Sequence, residues 1–128
     1  MWPRVDGLRS VELGARGEMR QWLNDLVLSG RKRATAGLLA HDYADEELEH
    51  VGERLALLDN GGAKLAELTV TTVDVVALTD VTWAFADAEG EGFRSVEHWR
   101  EIHTDYWADE GHPVADDTEV VCLWFRLT

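Results

Sequence analysis

One cysteine in 128 residues leaves no partner for an internal disulfide and no cysteine cluster of the structural zinc type. That residue, Cys122, sits in the apolar run Val120-Val121-Cys122-Leu123-Trp124-Phe125 and reads as a core residue of a protein kept reduced. Long apolar runs are missing too. Nothing approaches the roughly 20 residues that span a bilayer, and Met1-Trp2-Pro3-Arg4 lacks the apolar stretch of a signal peptide. A cytoplasmic protein with no membrane partner is expected. Positive charge is the third scarcity: 12 lysines and arginines stand against 25 acidic residues, a formal net charge of −13. Such a surface repels long nucleic acid, whose affinity comes largely from cations on phosphates. A short RNA or a nucleoside held in a local basic pocket stays open.

What is present describes one globular domain: 45% apolar and 29% charged residues in a length that can bury an ordinary core. Six tryptophans are many for this size and are expected in the core or a pocket wall. Residues 1–17 carry weak signals and read as an N-terminal extension to a domain over 18–128. From Glu18, the residues Met19, Trp22, Leu23, Leu26 and Val27 recur at helical spacing, and Gly30 suits a left-handed cap. Residues 34–39 read as a short strand. Tyr43 to His50 is an acidic loop or helical turn. Val51–Leu58 and Ala63–Leu78 read as strands joined by the turn Asp59-Asn60-Gly61-Gly62, the second long enough to need a bend or bulge. Thr79 or Asp80 can cap a short helix through Ala88, and Ser95 a longer one carrying Val96, Trp99, Ile102, His103, Tyr106 and Trp107 on one face. Thr118–Leu127 reads as a strand central in a sheet. The order implies an α+β fold, a small curved sheet or barrel flanked by helices.

Against the acidic background, Gly30-Arg31-Lys32-Arg33-Ala34-Thr35 places three cations in a row beside a hydroxyl. A lysine and a threonine three residues apart can converge on one small site, one supplying charge or taking a proton, the other an oxygen nucleophile. The same cations also meet the negative end of the preceding helix dipole. Glu89, against Gly90, is either an exposed helix end or a third member. Lysine, threonine and glutamate together can support acyl transfer, with burial and neighbouring charge tuning their proton affinities. His98 and His103 are five apart, off the spacing that puts two metal ligands on one helical face. No His-Glu-x-x-His, nucleophile elbow or phosphate-binding glycine loop occurs. No metal or other cofactor is expected.

Taken together these segments resemble the ASCH domain family, small proteins with a β-barrel related to the PUA RNA-binding fold. The likeness rests on Gly-x-Lys-x-x-Thr at 30–35 and on Ala86-Asp87-Ala88-Glu89-Gly90-Glu91-Gly92 followed by Ser95, Trp99 and His103. It extends to the closing strand 120–127 and covers about residues 18–127. The resemblance implies a cleft between barrel and helices. Some members are implicated in RNA binding or cleavage; others hydrolyse N(4)-acetylcytidine with a lysine, a threonine and a glutamate. Lys32 and Thr35 match the first two, and Glu89 is taken as the third. Arg31, Arg33, Trp83, Trp99 and His103 complete the expected site as substrate-binding residues. The leading expectation is an amidohydrolase of a small acylated nucleoside. In it Thr35 attacks the carbonyl, Lys32 accepts the hydroxyl proton or steadies the oxyanion, and Glu89 passes a proton to the amine. The rival readings are an RNA-binding module, with or without ribonuclease activity, and a ligand-binding domain without turnover; RNA is expected as a weak partner at most. Neither Lys32 nor Thr35 is expected to carry the core.

Overall fold

The computed structural model describes residues 1–128. Two short strands, β1 (Arg4–Val5) and β2 (Leu8–Val11), precede helix α1 (Glu18–Leu28) and strand β3 (Ala34–Leu38). One helical turn, α2 (Leu39–Asp42), leads to β4 (Arg54–Leu58) and the 14-residue β5 (Lys64–Ala77). A 3-10 turn at Leu78–Asp80, helices α3 (Trp83–Ala88) and α4 (Val96–Asp109), and strand β6 (Glu119–Leu127) complete the chain. The strands form one six-stranded sheet in the order β1-β2-β4-β5-β6-β3, antiparallel except where β2 runs parallel to β4. This is the α+β architecture, a curved sheet flanked by helices, that the sequence implies. No helix is long and apolar enough to cross a membrane.

Residues 1–17 supply two strands of that sheet. Ser10 and Val11 pair with Ala56 and Leu57 on the far side of the chain's acidic loop. The long strand β5 bends as expected: its register against β6 shifts between Val70 and Thr72. β6 is central, between β5 and β3, and Val120 and Val121 are fully buried. Apolar side chains fill the two faces separately. One cluster sets Phe85, Trp99 and Trp107 against Ala34 and Val120; the other sets Leu23 and Val27 of α1 against Leu55, Leu57 and Leu68.

Three local expectations need correction. The cap of α3 is Thr82, whose hydroxyl accepts from the Phe85 amide, because Thr79 and Asp80 are taken up by the 3-10 turn. Arg100 of α4 holds that turn in place by donating to the carbonyls of Leu78, Thr79 and Val81. Trp22 and Ile102 are about half exposed, at 47% and 44%. Trp22 sits at the edge of α1's apolar face, where the buried positions are Leu23, Asn24 and Val27, and Asn24 donates to the Leu58 carbonyl. Ile102 lines a cavity instead of the core. Ser95 does cap α4, accepting from the His98 amide.

Candidate active site

The segment after α1 is shaped by its cap. Gly30 adopts φ +81°, and the amides of Gly30 and Arg31 return to the carbonyls of Val27 and Leu26, the paired bonds of a glycine-terminated helix. The Lys32 amide also donates to Leu26 O, and the Arg33 amide to Ala88 O at 2.8 Å. The chain is then extended, so alternate side chains point opposite ways. Lys32 turns inward and is 2% exposed, while Arg31 and Arg33 face solvent.

The turn after α3 docks on this segment. Gly90 has φ +69°, and a Cβ there would lie 2.3 Å from the Arg31 carbonyl oxygen. Only glycine allows that approach, and it sets the carboxylates of Glu89 and Glu91 on either side of the Lys32 ammonium. Lys32 Nζ donates to Glu91 Oε2 at 2.9 Å and lies 3.6 Å from Glu89 Oε1. Glu89 is 1% exposed. Its Oε2 accepts from the Trp99 indole and lies 3.3 Å from His103 Nε2. His103 stacks on Trp99, with Nδ1 3.0 Å from the Trp99 carbonyl. Both ring nitrogens thus face oxygen atoms, which fixes the ring between Glu89 and the Trp99 carbonyl.

Burial pushes the Glu89 carboxyl up, but Lys32, His103 and the Trp99 indole outweigh it and hold the group below the usual carboxylate range. Glu91 moves the other way. Burial and the nearby Glu89 charge raise it, with Lys32 only partly compensating. The two neighbouring carboxylates therefore differ: Glu89 is held low with its oxygens engaged by Trp99, His103 and Lys32, and Glu91 is shifted up. Burial pushes the Cys122 thiol up to about 12, which removes it as a nucleophile.

Lys32, Thr35, Glu89, Glu91 and His103 line one cavity of about 440 Å³. Thr35 is half-buried on β3, paired across the sheet with Leu123, which lines the same space. Of the expected substrate-binding residues, only His103 reaches the cavity. Arg31, Arg33 and Trp83 are exposed and outside it, and Trp99 lies behind Glu89, wholly buried. Glu91, Tyr43 and Glu49 also line the cavity and escaped the sequence reading. The Glu91 signal was the carboxylate–glycine–carboxylate repeat at 89–91, just past the helix expected through Ala88. His98 accepts from the Arg94 amide at the start of α4 and is away from the site. No three histidine, cysteine, aspartate or glutamate side chains converge as metal ligands.

A curved sheet whose first helix hands a lysine and a threonine to a half-open cavity places the molecule among the PUA-like folds. The model of the ASCH domain matches residues 9–128, so the chain belongs to the ASCH domain family. Among solved structures it is similar to an ASCH domain from Lactobacillus crispatus, with 25% identity, TM-score 0.79, and 92% of this chain and 77% of that one covered. It is also similar to a protein from Enterococcus faecalis, with 29% identity, TM-score 0.77, and coverage of 91% and 74%. An ASCH protein from Zymomonas mobilis shares the fold at 11% identity, TM-score 0.55, and coverage of 83% and 63%. A search of curated proteins finds no match.

Proposed function

We propose that the protein hydrolyses the amide of a small acylated nucleoside, with N(4)-acetylcytidine as the reference substrate. The observation that carries this reading is the Lys32–Glu91 contact of 2.9 Å in a cavity that Thr35 shares. Thr35 Oγ1 attacks the acyl carbon, and its proton passes to the Glu91 carboxylate. The Lys32 ammonium faces the oxygen on which negative charge develops. Collapse of that adduct breaks the carbon–nitrogen bond, and Glu91 returns the proton to the departing exocyclic amine. Water then attacks the acyl-threonine and Glu91 again takes a proton; collapse breaks the carbon–oxygen bond to Thr35 Oγ1, Glu91 returns that proton to the threonine oxygen, and acetic acid leaves and ionises to acetate in solution. Glu89 holds Lys32 and His103 in place. The proton shuttle falls to Glu91 because Glu89 has its oxygens engaged by Trp99, His103 and Lys32.

Glu12, Asp42, Glu49, Glu89, Glu91 and Glu110 face the cavity against a single lysine. With the net charge of −13, this disfavours a phosphate backbone, so long RNA is a weak and salt-sensitive partner in this reading. The unpaired, buried Cys122 fits a reducing compartment, and the cytoplasm is the proposed site of action.

Turnover of N(4)-acetylcytidine, followed as cytidine release, tests the assignment. Thr35→Ala should abolish it with a stability loss no larger than about 1–2 kcal/mol. Thr35→Ser should keep part of the activity, and Glu91→Gln should lose most of it. Undiminished hydrolysis in Thr35→Ala would sink the nucleophile assignment.

A further inference from the structure

The cavity has a second polar end that the hydrolytic step does not use. Tyr43 and Glu49 both line it, and the Tyr43 hydroxyl donates to Glu49 Oε1 at 2.8 Å. Glu49 is 6% exposed, yet no cation pairs with it. Arg9, the nearby candidate, is committed to Glu53 and Glu46. Burial accordingly raises the Glu49 carboxyl, with Tyr43 and Arg9 only partly opposing it. A carboxylate closed off from water without an ion pair is costly unless donors reach it. A second unmet group lies on the same lining: the Ser10 hydroxyl is buried, and no protein atom hydrogen-bonds it.

The position of this end relative to Thr35 follows from β3. Gly37 stands two residues beyond Thr35 on the same face of the strand, about 7 Å along. A Cβ at Gly37 would lie 3.4 Å from Tyr43 Cε1, so the tyrosine ring rests on that bare stretch of strand. The Tyr43 ring thus lies about two strand residues from Thr35 along the same cavity wall, with Glu49 beyond its hydroxyl. No hydrogen bond or ion pair links this pair to the Lys32 cluster.

We propose that Glu49, fixed by Tyr43, accepts the vicinal hydroxyls of a ribose, so that the cavity selects an unphosphorylated ribonucleoside over the free base, the 2′-deoxynucleoside and the 5′-nucleotide. This rests on the hydrolase reading above for the placement of the acyl group. Hydroxyls supply the donors that the buried carboxylate lacks, and they bring no charge to a cavity rich in carboxylates. A phosphate would find Lys32 already held by two glutamates.

Calorimetric titration with cytidine, 2′-deoxycytidine, cytosine and cytidine 5′-monophosphate tests this without requiring turnover. Cytidine should bind about tenfold or more tightly than each of the other three, the scale of a lost hydrogen bond to a charged group. Glu49→Gln and Tyr43→Phe should each narrow the cytidine-to-deoxycytidine ratio to within a few-fold, with folding checked by thermal melting. Tyr43→Phe removes only the hydroxyl that orients the carboxylate, so it keeps the test open if the glutamine variant folds poorly. Equal affinity for cytidine and 2′-deoxycytidine, an unchanged ratio in a folded variant, or no binding of cytidine would each overturn the proposal. Failure of the hydrolase reading has a different signature: ribose selectivity in the titrations with no amide cleavage in the turnover assay.

Discussion

Arg9 and Lys32 each gather carboxylates from distant parts of the chain. Arg9 meets Glu53 with two hydrogen bonds, Nε to Oε2 at 2.8 Å and Nη2 to Oε1 at 2.7 Å, and adds the Glu47 carbonyl. Lys32 instead divides one ammonium between Glu91 at 2.9 Å and Glu89 at 3.6 Å, with His103 behind. The guanidinium fork saturates its partner geometrically, and the side chains stay 15% and 14% exposed. Such a network fastens the β2 strand to the 46–53 loop and has little else to do. The Lys32 side chain is 1% exposed, and its two carboxylates are pushed in opposite directions. One lysine thus stands between two buried carboxylates that differ in proton affinity. Chemistry belongs at that imbalance, and scaffolding at the balanced pair.

The largest expected effect separates the two cations directly. Lys32→Ala leaves Glu89 buried without its nearest cation, so a loss of about 3–5 kcal/mol is expected. Arg9→Ala breaks a partly solvated pair and should cost about 1 kcal/mol. Chemical denaturation of both variants checks the contrast. Lys32 was not expected from sequence to carry the core, yet it is 2% exposed and bridges the α1 exit to the 89–91 turn. Equal losses would mean that water enters the Lys32 site as freely as the Arg9 site.

Gly90→Ala attacks the same site through the backbone. Its Cβ would meet the Arg31 carbonyl oxygen at 2.3 Å and the Lys32 nitrogen at 2.8 Å, and φ is +69°. Neither backbone atom can step aside as a side-chain tip would. A loss of about 2–4 kcal/mol is expected from overpacking and left-handed strain together. Turnover should fall further than stability, because Glu89 and Glu91 are carried away from Lys32. Gly62→Ala, also at positive φ but with open space around it, is the control. It should lose less stability and keep the site.

Much of this was legible in the residues, for reasons that differ by element. The apolar spacing of α1, the turn 59–62, the Ser95 cap and the unbroken run of β6 are local signals, and each forms where it reads. β2 is four residues without alternation and gains its order only from a parallel partner some 46 positions away, Ser10 with Ala56. Lys32 and Thr35 were legible from the Gly-x-Lys-x-x-Thr spacing after the first helix, and both line the cavity. Arg31 and Arg33 were expected beside them through adjacency in sequence, but both side chains are exposed and outside the cavity. Glu49 gave no sign, since its burial depends on Tyr43 closing over Gly37.

The smallest effect sharpens the comparison between the two neighbouring carboxylates. Glu89 is held below the usual range, so its contribution is fully present above the unfolded carboxylate pKa of about 4.3 and is lost as pH falls through its lower folded value. Glu91 is raised, so the sign reverses. Its contribution is fully present below the unfolded pKa and is lost as pH rises through the folded value. The stability difference between Glu91→Gln and the parent should therefore shift in favour of the variant as pH climbs from about 4 toward neutrality. For Glu89→Gln the difference should shift in favour of the parent as pH rises from the acid side through about 4.3. Denaturation curves collected across this range read the slopes, and only the change with pH matters, since each variant also alters a hydrogen bond by a constant amount. Parallel slopes for the two variants would show that the carboxylates share one environment, and would return the proton shuttle to Glu89.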